Sequence, residues 1–359
     1  KKNPDIIKNN GNFPVKINTG KWEMEKKKRV TLVDLAACCG LSKTAVGAIL
    51  SHDPKYKVSP ETKDMVLALA RKMDYKPNLA AKALVSRKHY TVGMLFYSVK
   101  DRCYSEIMAA AQQKLAEKGY ASLFAFWEDS DFMSAFNMLA DHGVDGIITN
   151  APEELAQTLP ADMPVVLYGF SSQTRDAVLV DRRAAIRKVL DYLYDNGHRD
   201  FGYLCNPAPE PRYQAFLDFL HSKHLRVHRE WMKPTVNDIN AREAAMKEIL
   251  ACRSCPTAII VQNDVTAMAA MAIAVNAGVK VPEQISFVGF DNILESRYAV
   301  PALTTLDIRI EETAAHLADL LMKRIKNPKT PVMSCRIEPE LVLRKSCISL
   351  KMPDAASNQ

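Results

Sequence analysis

From Tyr90 onward, short apolar runs alternate with longer amphipathic stretches, and this rhythm restricts the fold more than any other feature of the sequence. "TVGMLFY", "ASLFAFW", "VDGIIT", "PVVLYG", "DFGYLC", "TAIIVQ" and "ISFVGF" each read as a buried strand. Between them, the stretches from Tyr104 to Lys118, Asp131 to His142 and Arg182 to Tyr194 carry apolar residues at helical spacing. Repeated strand–helix units imply parallel sheets, because each helix carries the chain back to the same end of the sheet, and helices then cover both faces. The segment from Tyr90 to Cys347 is long enough for two such doubly wound lobes.

Upstream of Tyr90 the pattern is all-helical. Thr31 and Asp34 have the spacing of a capping box, and Leu32, Val33, Leu35 and Ala36 supply an apolar stripe that ends at Cys39. Gly40 can take the left-handed conformation of a tight exit, Leu41 can plug the core, and Ser42 can accept a hydrogen bond from the next helix's free amides. A second helix from Lys43 to Leu50 is expected to bury Val46, Ile49 and Leu50. In "VSPET", Ser59 caps a third helix with Pro60 at its first position; it runs to about Met73 and is expected to bury Val66, Leu67 and Leu69. Helix, glycine turn, helix and supporting helix is the layout of a helix-turn-helix module, and equally of a three-helix bundle with no DNA role.

Charge separates those two readings. The net charge is +7, yet residues 1–90 hold 19 Lys and Arg against 8 Asp and Glu, while residues 91–359 hold 29 against 33. A positive excess concentrated on a small helical domain suits a polyanion, since neutralising phosphates releases counterions. Residues 1–28 share the basic charge without any apolar period and read as a disordered leader, or as a product of the choice of start site. After the third helix, Pro77 breaks the chain, Asn78 can cap, and Leu79 to Val85 form a helix too short to stand alone, which would order against a dimer mate and a DNA groove. The expected domains are therefore 1–28 leader, 29–76 helix-turn-helix domain, 77–89 hinge helix and linker, 90–347 two-lobed core and 348–359 tail.

In open parallel sheets, ligands bind beyond the carboxyl ends of the strands. Arg212 follows "GYLCNPAPEP", Asn263 and Asp264 follow "AIIVQ", and Asp291 follows "SFVGF". A fork donor, an amide and an acid together suit a small polar or polyhydroxylated ligand. No GxSxG elbow, Walker A loop or GxGxxG fingerprint accompanies them, so these acids are read as ligand holders and no enzyme activity or cofactor is expected. Cys252 and Cys255 form a lone CxxC without a second ligand pair, and His221, His224 and His228 read as a solvated helix and its exit loop, so no metal site is expected. Eight scattered cysteines, no apolar run of about 18 residues and no signal-like leader predict reduced thiols, no membrane span and a cytoplasmic location.

With these residues in place, the sequence from about Val30 to Cys347 resembles the lactose-repressor/galactose-repressor (LacI/GalR) family of bacterial transcription regulators. The resemblance rests on the order and spacing of "VTLVDLAACCGLSKTAVGAIL", "VSPETKDMVLALARKMDYKPNLAAKAL", "VDGII", "NGHRDFGYL", "RYQAFLDFL", "QNDVTAMAA", "VPEQISFVGFDN", "PALTTLDI" and "PELVLRKS". It implies an all-α headpiece, a hinge helix, and a periplasmic-binding-protein-like core that holds an effector between its lobes. Carried over by position, the DNA-facing set is Thr31, Ser42, Lys43, Thr44, Ala45, Gly47, Ala48, Asn78, Lys82 and Leu84. Lys43 and Thr44 would meet base edges, Ser42 and Asn78 phosphates, and Leu84 would wedge into a minor-groove step. The effector set is Tyr104, Arg212, Asn263 and Asp291.

Two departures stand out. Where the family commonly has Thr-Val-Ser-Arg, this chain has Ala45-Val46-Gly47-Ala48, so its operator should differ from the usual family palindrome, with Lys43, Thr44 and contacts of Ala48 to thymine methyls dominating the readout. Gly169 stands where some sugar-responding members carry an acid. The implied function is a ligand-responsive, sequence-specific repressor of a carbohydrate-use operon that binds a near-palindromic operator in double-stranded DNA as a homodimer. The alternatives are an exported-type sugar-binding protein without DNA function and a purine- or nucleoside-responsive regulator. The tail lacks leucine heptads, so no tetramerising coiled coil is expected.

Overall fold

The computed structural model describes residues 30–50, 56–75, 88–128, 130–205, 211–235 and 239–351. The chain divides into two compact units, residues 1–82 and 83–359. The expected leader and hinge helix, with Asn78, Lys82 and Leu84, lie outside the described residues, as does most of the tail.

The first unit contains three helices: α1 (Leu32–Cys39), α2 (Lys43–Leu50) and α3 (Pro60–Lys72). Thr31 and Asp34 form the capping box: the Asp34 amide donates to the Thr31 hydroxyl at 3.3 Å and the Thr31 amide to Asp34 Oδ2 at 2.8 Å. Gly40 closes α1 with φ 64°, where a side chain would be strained, and the chain bends by 103° into α2. Leu35, Val46, Ile49, Val66 and Ala70 form the core of this unit, with Leu32, Leu41, Leu50 and Leu69 packed against it. Two expectations are corrected. Val33 is 58 % exposed, because a helix of eight residues offers the core one stripe and Leu35 and Ala36 occupy it. In α3 the buried partner of Val66 is Ala70, four residues on, and Leu67 is only half-buried.

The second unit is built from two doubly wound lobes. The first has six parallel strands, β1 (Thr91–Phe96), β2 (Ala121–Phe126), β3 (Gly146–Thr149), β4 (Val165–Tyr168), β5 (Asp176–Val180) and β11 (Ser334–Ile337), in the order β11-β5-β4-β3-β1-β2. Central β1 is buried over five of its six residues because helices cover both its faces, whereas edge strand β2 is mostly exposed or half-buried. Helices α4 (Arg102–Glu117), α5 (Phe132–Asp141) and α6 (Glu153–Ala156) belong to this lobe.

The chain then crosses to the second lobe through α7 (Arg182–Asp195), which packs against α8 (Pro211–Ser222). There β6 (Phe201–Cys205), β7 (Met232–Pro234), β8 (Ala258–Val261) and β9 (Ser286–Val288) form a parallel sheet in the order β7-β6-β8-β9, with α9 (Ile239–Leu250) and α10 (Asp264–Asn276). After β10 (Thr305–Asp307), the helix α11 (Ile310–Lys326) and β11 return to the first lobe, and β12 (Glu340–Val342) pairs antiparallel with β10. Three passages thus join the lobes, as a two-lobed binding core requires.

Two polar fixtures hold the first lobe. Arg324 of α11 grips buried Asp176 with two nitrogens at 2.8 and 2.7 Å, and its remaining donors reach the carbonyls of Pro328, Thr330 and Pro331. Every charge in this buried pair is therefore hydrogen-bonded. Asp145, just ahead of β3, accepts the backbone amides of His89 at 2.9 Å and Tyr90 at 2.7 Å, fastening the chain where β1 begins.

Candidate functional site

On the first unit, the surface at issue is the start of α2. Ser42, Lys43 and Thr44 are exposed there, and the Ser42 hydroxyl also accepts the Ala45 amide at 3.1 Å, capping the helix. Ala45 is a correction to the DNA-facing set: it is 5 % exposed on the inner side of α2 with Val46 and Ile49, so it has almost no surface to offer a groove. Gly47 and Ala48 are half-buried, and a side chain on Gly47 would lie 3.6 Å from Leu32 of α1. Thr31 is engaged with Asp34 at the start of α1.

In the second unit, a cavity of about 300 Å³ lies between the lobes at the carboxyl ends of their strands. Tyr104, Arg212, Asn263 and Asp291 all line it. Arg212, second residue of α8, donates to the Gln262 carbonyl at 2.6 Å and lies 5.1 Å from the centre of the Phe290 ring. Asn263 caps α10, its side-chain oxygen accepting the Thr266 amide at 2.9 Å. Tyr104 meets Tyr168 edge-on, with ring centres 6.1 Å apart, and burial raises its hydroxyl pKa.

Asp291 has φ 112° and its neighbour Asn292 φ 57°, two adjacent residues in a region that side chains disfavour. A buried network holds them. Asp264 accepts the Thr305 hydroxyl and, at 2.9 Å, the Ile293 amide; Asn292 donates to Asp307 at 2.9 Å; Arg344 bonds the side chains of Asn292 and Ser296 and the Leu303 carbonyl. Burial pushes the Asp264 carboxyl up to about 7. Burial, then repulsion from Asp264 and Asp101, pushes Asp291 well above the usual carboxylate range, and Arg212 and Arg182 offset this only in part.

Sequence reasoning missed Trp127, Asn150, Tyr168, Arg182 and Gln262, all of which line the same cavity as Asp101, a residue of the "SVKDRCY" loop that leads into Tyr104. Asp101 caps α4 by accepting the Tyr104 amide at 3.1 Å, and burial raises its pKa. Asn150 accepts the Tyr97 amide at 2.8 Å, and Gln262 is 4 % exposed with its side-chain carbonyl oxygen unpartnered. The signal was available: all five end a strand or follow one within two residues, so the rule that found Asn263 finds these as well. Among the described residues no group of three His, Cys, Asp or Glu is placed to hold a metal ion, and all eight cysteines are free thiols. No single described helix is long and apolar enough to cross a membrane.

Comparison with known proteins agrees with this geometry. Residues 190–347 match the periplasmic binding protein-like domain family. The chain is 27 % identical over 329 residues to the HTH-type transcriptional repressor PurR of Pasteurella multocida, covering 88 % of this chain and 98 % of that protein. The PurR of Mannheimia succiniciproducens is 28 % identical over 331 residues, with 88 % and 98 % covered. Among solved structures, the Lac repressor dimer bound to operator and the anti-inducer ONPF superposes with a TM-score of 0.75 at 22 % identity, covering 89 % of this chain and all of that one. A LacI family regulator from Enterococcus faecium with bound ribose gives 0.66 at 23 % identity, covering 73 % of this chain and all of that one. The structures share the fold, and the curated relatives, similar to this chain along nearly their whole length, are HTH-type transcriptional repressors.

Proposed function

We propose that this protein is a cytoplasmic repressor of a carbohydrate-use operon, binding a near-palindromic operator as a homodimer and switched by a sugar or sugar derivative held in the cleft. The observation that carries the reading is the convergence of polar groups from both lobes on one cavity: Asp101, Tyr104 and Asn150 from the first, Arg212, Asn263 and Asp291 from the second. A polyhydroxylated ring satisfies such a set of donors and acceptors, and a ligand touching both lobes favours one lobe arrangement over another by its difference in affinity. At the DNA, Lys43 and Thr44 carry the base readout, and the absence of a long side chain at Ala48 gives an operator different from the common family palindrome.

A second reading, a nucleobase or nucleoside effector, is favoured by the rings of Tyr97, Trp127 and Phe170 along the same cavity, which offer a base flat surfaces to stack on. Selection of operators from a random duplex library, followed by band-shift titration with sugars and with nucleobases, tests both. The first reading requires a selected palindrome whose retardation is relieved or strengthened by a sugar. A response to nucleobases alone selects the second, and no preference for any duplex over bulk competitor refutes the regulator.

A further inference from the structure

Arg182 is the one cavity-lining residue whose charge neither the fold nor the proposed function uses. It is the first residue of α7, half-buried, and lines the cavity at a passage between the lobes. Among the described residues its guanidinium makes no hydrogen bond and no ion pair. Arg212 differs, being committed to the Gln262 carbonyl, and Arg183, the next residue, is paired with Asp218 at 3.1 Å. Asp181, the acid that caps this helix by accepting the Ala184 amide at 3.0 Å, is paired with Arg336 at 3.0 Å and not with Arg182.

Gly169 keeps this place open. It ends the β4 connection beside Arg182, and a side chain there would begin 3.4 Å from Arg182 Nη2. An acidic residue at that position would occupy the guanidinium; this chain leaves the pairing to something else. Asp101 and Asp291 attract Arg182 from across the cavity without pairing with it. Burial raises the pKa of both carboxyls.

We infer that the effector is an acidic sugar, its carboxylate bound in the fork of Arg182 and its hydroxyls by Arg212, Asn263 and Asp291. This deepens the proposed function and rests on it. A monoanionic carboxylate fits better than a phosphate, because a single unpaired guanidinium neutralises one charge. A cavity of about 300 Å³ suits one sugar ring, not a chain of them.

The test uses the full chain, as wild type, Arg182→Gln and Arg182→Lys, titrated by calorimetry with glucuronate, galacturonate, their neutral parents glucose and galactose, and glucose 6-phosphate. At least one uronate is expected to bind wild type at least about 10-fold more tightly than its neutral parent, and to lose about 10- to 100-fold in Arg182→Gln, with the neutral parent unaffected. Arg182→Lys, which keeps the charge and loses the fork, should fall between. Because Arg182 makes no hydrogen bond or ion pair among the described residues, both variants should melt at the wild-type temperature without ligand. A neutral sugar that binds as tightly as its uronate, a uronate indifferent to Arg182→Gln, or a phosphate that outbinds both uronates overturns the inference and leaves the sugar-responsive regulator standing. If none of the five compounds binds or alters operator retardation, the inference and the sugar reading fall together.

Discussion

Gly289 and Asp264 are fitted so closely that a methyl group on Gly289 would lie 2.2 Å from Asp264 Oδ1 and 2.8 Å from a methyl of Leu303. Neither neighbour can yield cheaply: Asp264 is fully buried and bonded to Thr305 and Ile293, and Leu303 is fully buried in the second lobe. Gly289→Ala is therefore expected to destabilise the core by about 1–3 kcal/mol. Urea unfolding checks this, with effector affinity as a second reading, since Asp291 lies two residues on.

The carboxyls of Asp264, Asp291 and Asp101 are all raised by burial, Asp264 to about 7. The folded chain then holds protons that the unfolded chain has released above about pH 4, so stability is highest in mild acid and falls as pH rises towards and through 7. The melting temperature of the ligand-free protein is expected to decrease from pH 5 to pH 8. Asp264→Asn should flatten that slope, because it removes one of the titrating groups.

Arg212 links the cleft to Gln262 and Phe290, so its loss should be felt by the ligand more than by the fold. Arg212→Ala is expected to weaken effector binding by about 1.5–3 kcal/mol, the usual contribution of a charge-assisted hydrogen bond. Calorimetry with the effector measures this directly.

At the DNA, Lys43 and Ala45 should behave in opposite ways. Lys43 is exposed, and Lys43→Ala is expected to cost about 1–3 kcal/mol of operator affinity while leaving the headpiece folded. Ala45 is buried, and Ala45→Gln should lower the melting temperature of the headpiece, with any loss of DNA binding following from unfolding. Circular dichroism melts beside band-shift titrations distinguish the two.

Much of this architecture was legible because its signals are local. The capping box at Thr31, the left-handed exit at Gly40 and the buried runs of β1, β6 and β8 are each written within six residues. Strand β5 escaped because Asp176 opens it, and the partner that makes that acid tolerable, Arg324, lies 148 residues away. Ala45, placed at the DNA by resemblance to the family motif, is buried on α2 with Val46 and Ile49. In the cleft, Arg212 and Asp291 stood out as strong polar groups beyond strands, whereas Asn150, Tyr168 and Gln262 looked like ordinary strand ends. Their role depends on two sheets facing each other, which no single stretch of sequence records.

The clamp of Asp145 on His89 and Tyr90 is joined to the cavity by one strand. Asp145 immediately precedes strand β3, and Asn150, at the edge of the cavity, immediately follows it. Five residues of extended chain, about 17 Å, separate a ligand contact from the knot that moors the incoming polypeptide. Asn150 at the cavity and the mooring of residues 89 and 90 are thus opposite ends of one strand, which β1 and β4 hold on either side.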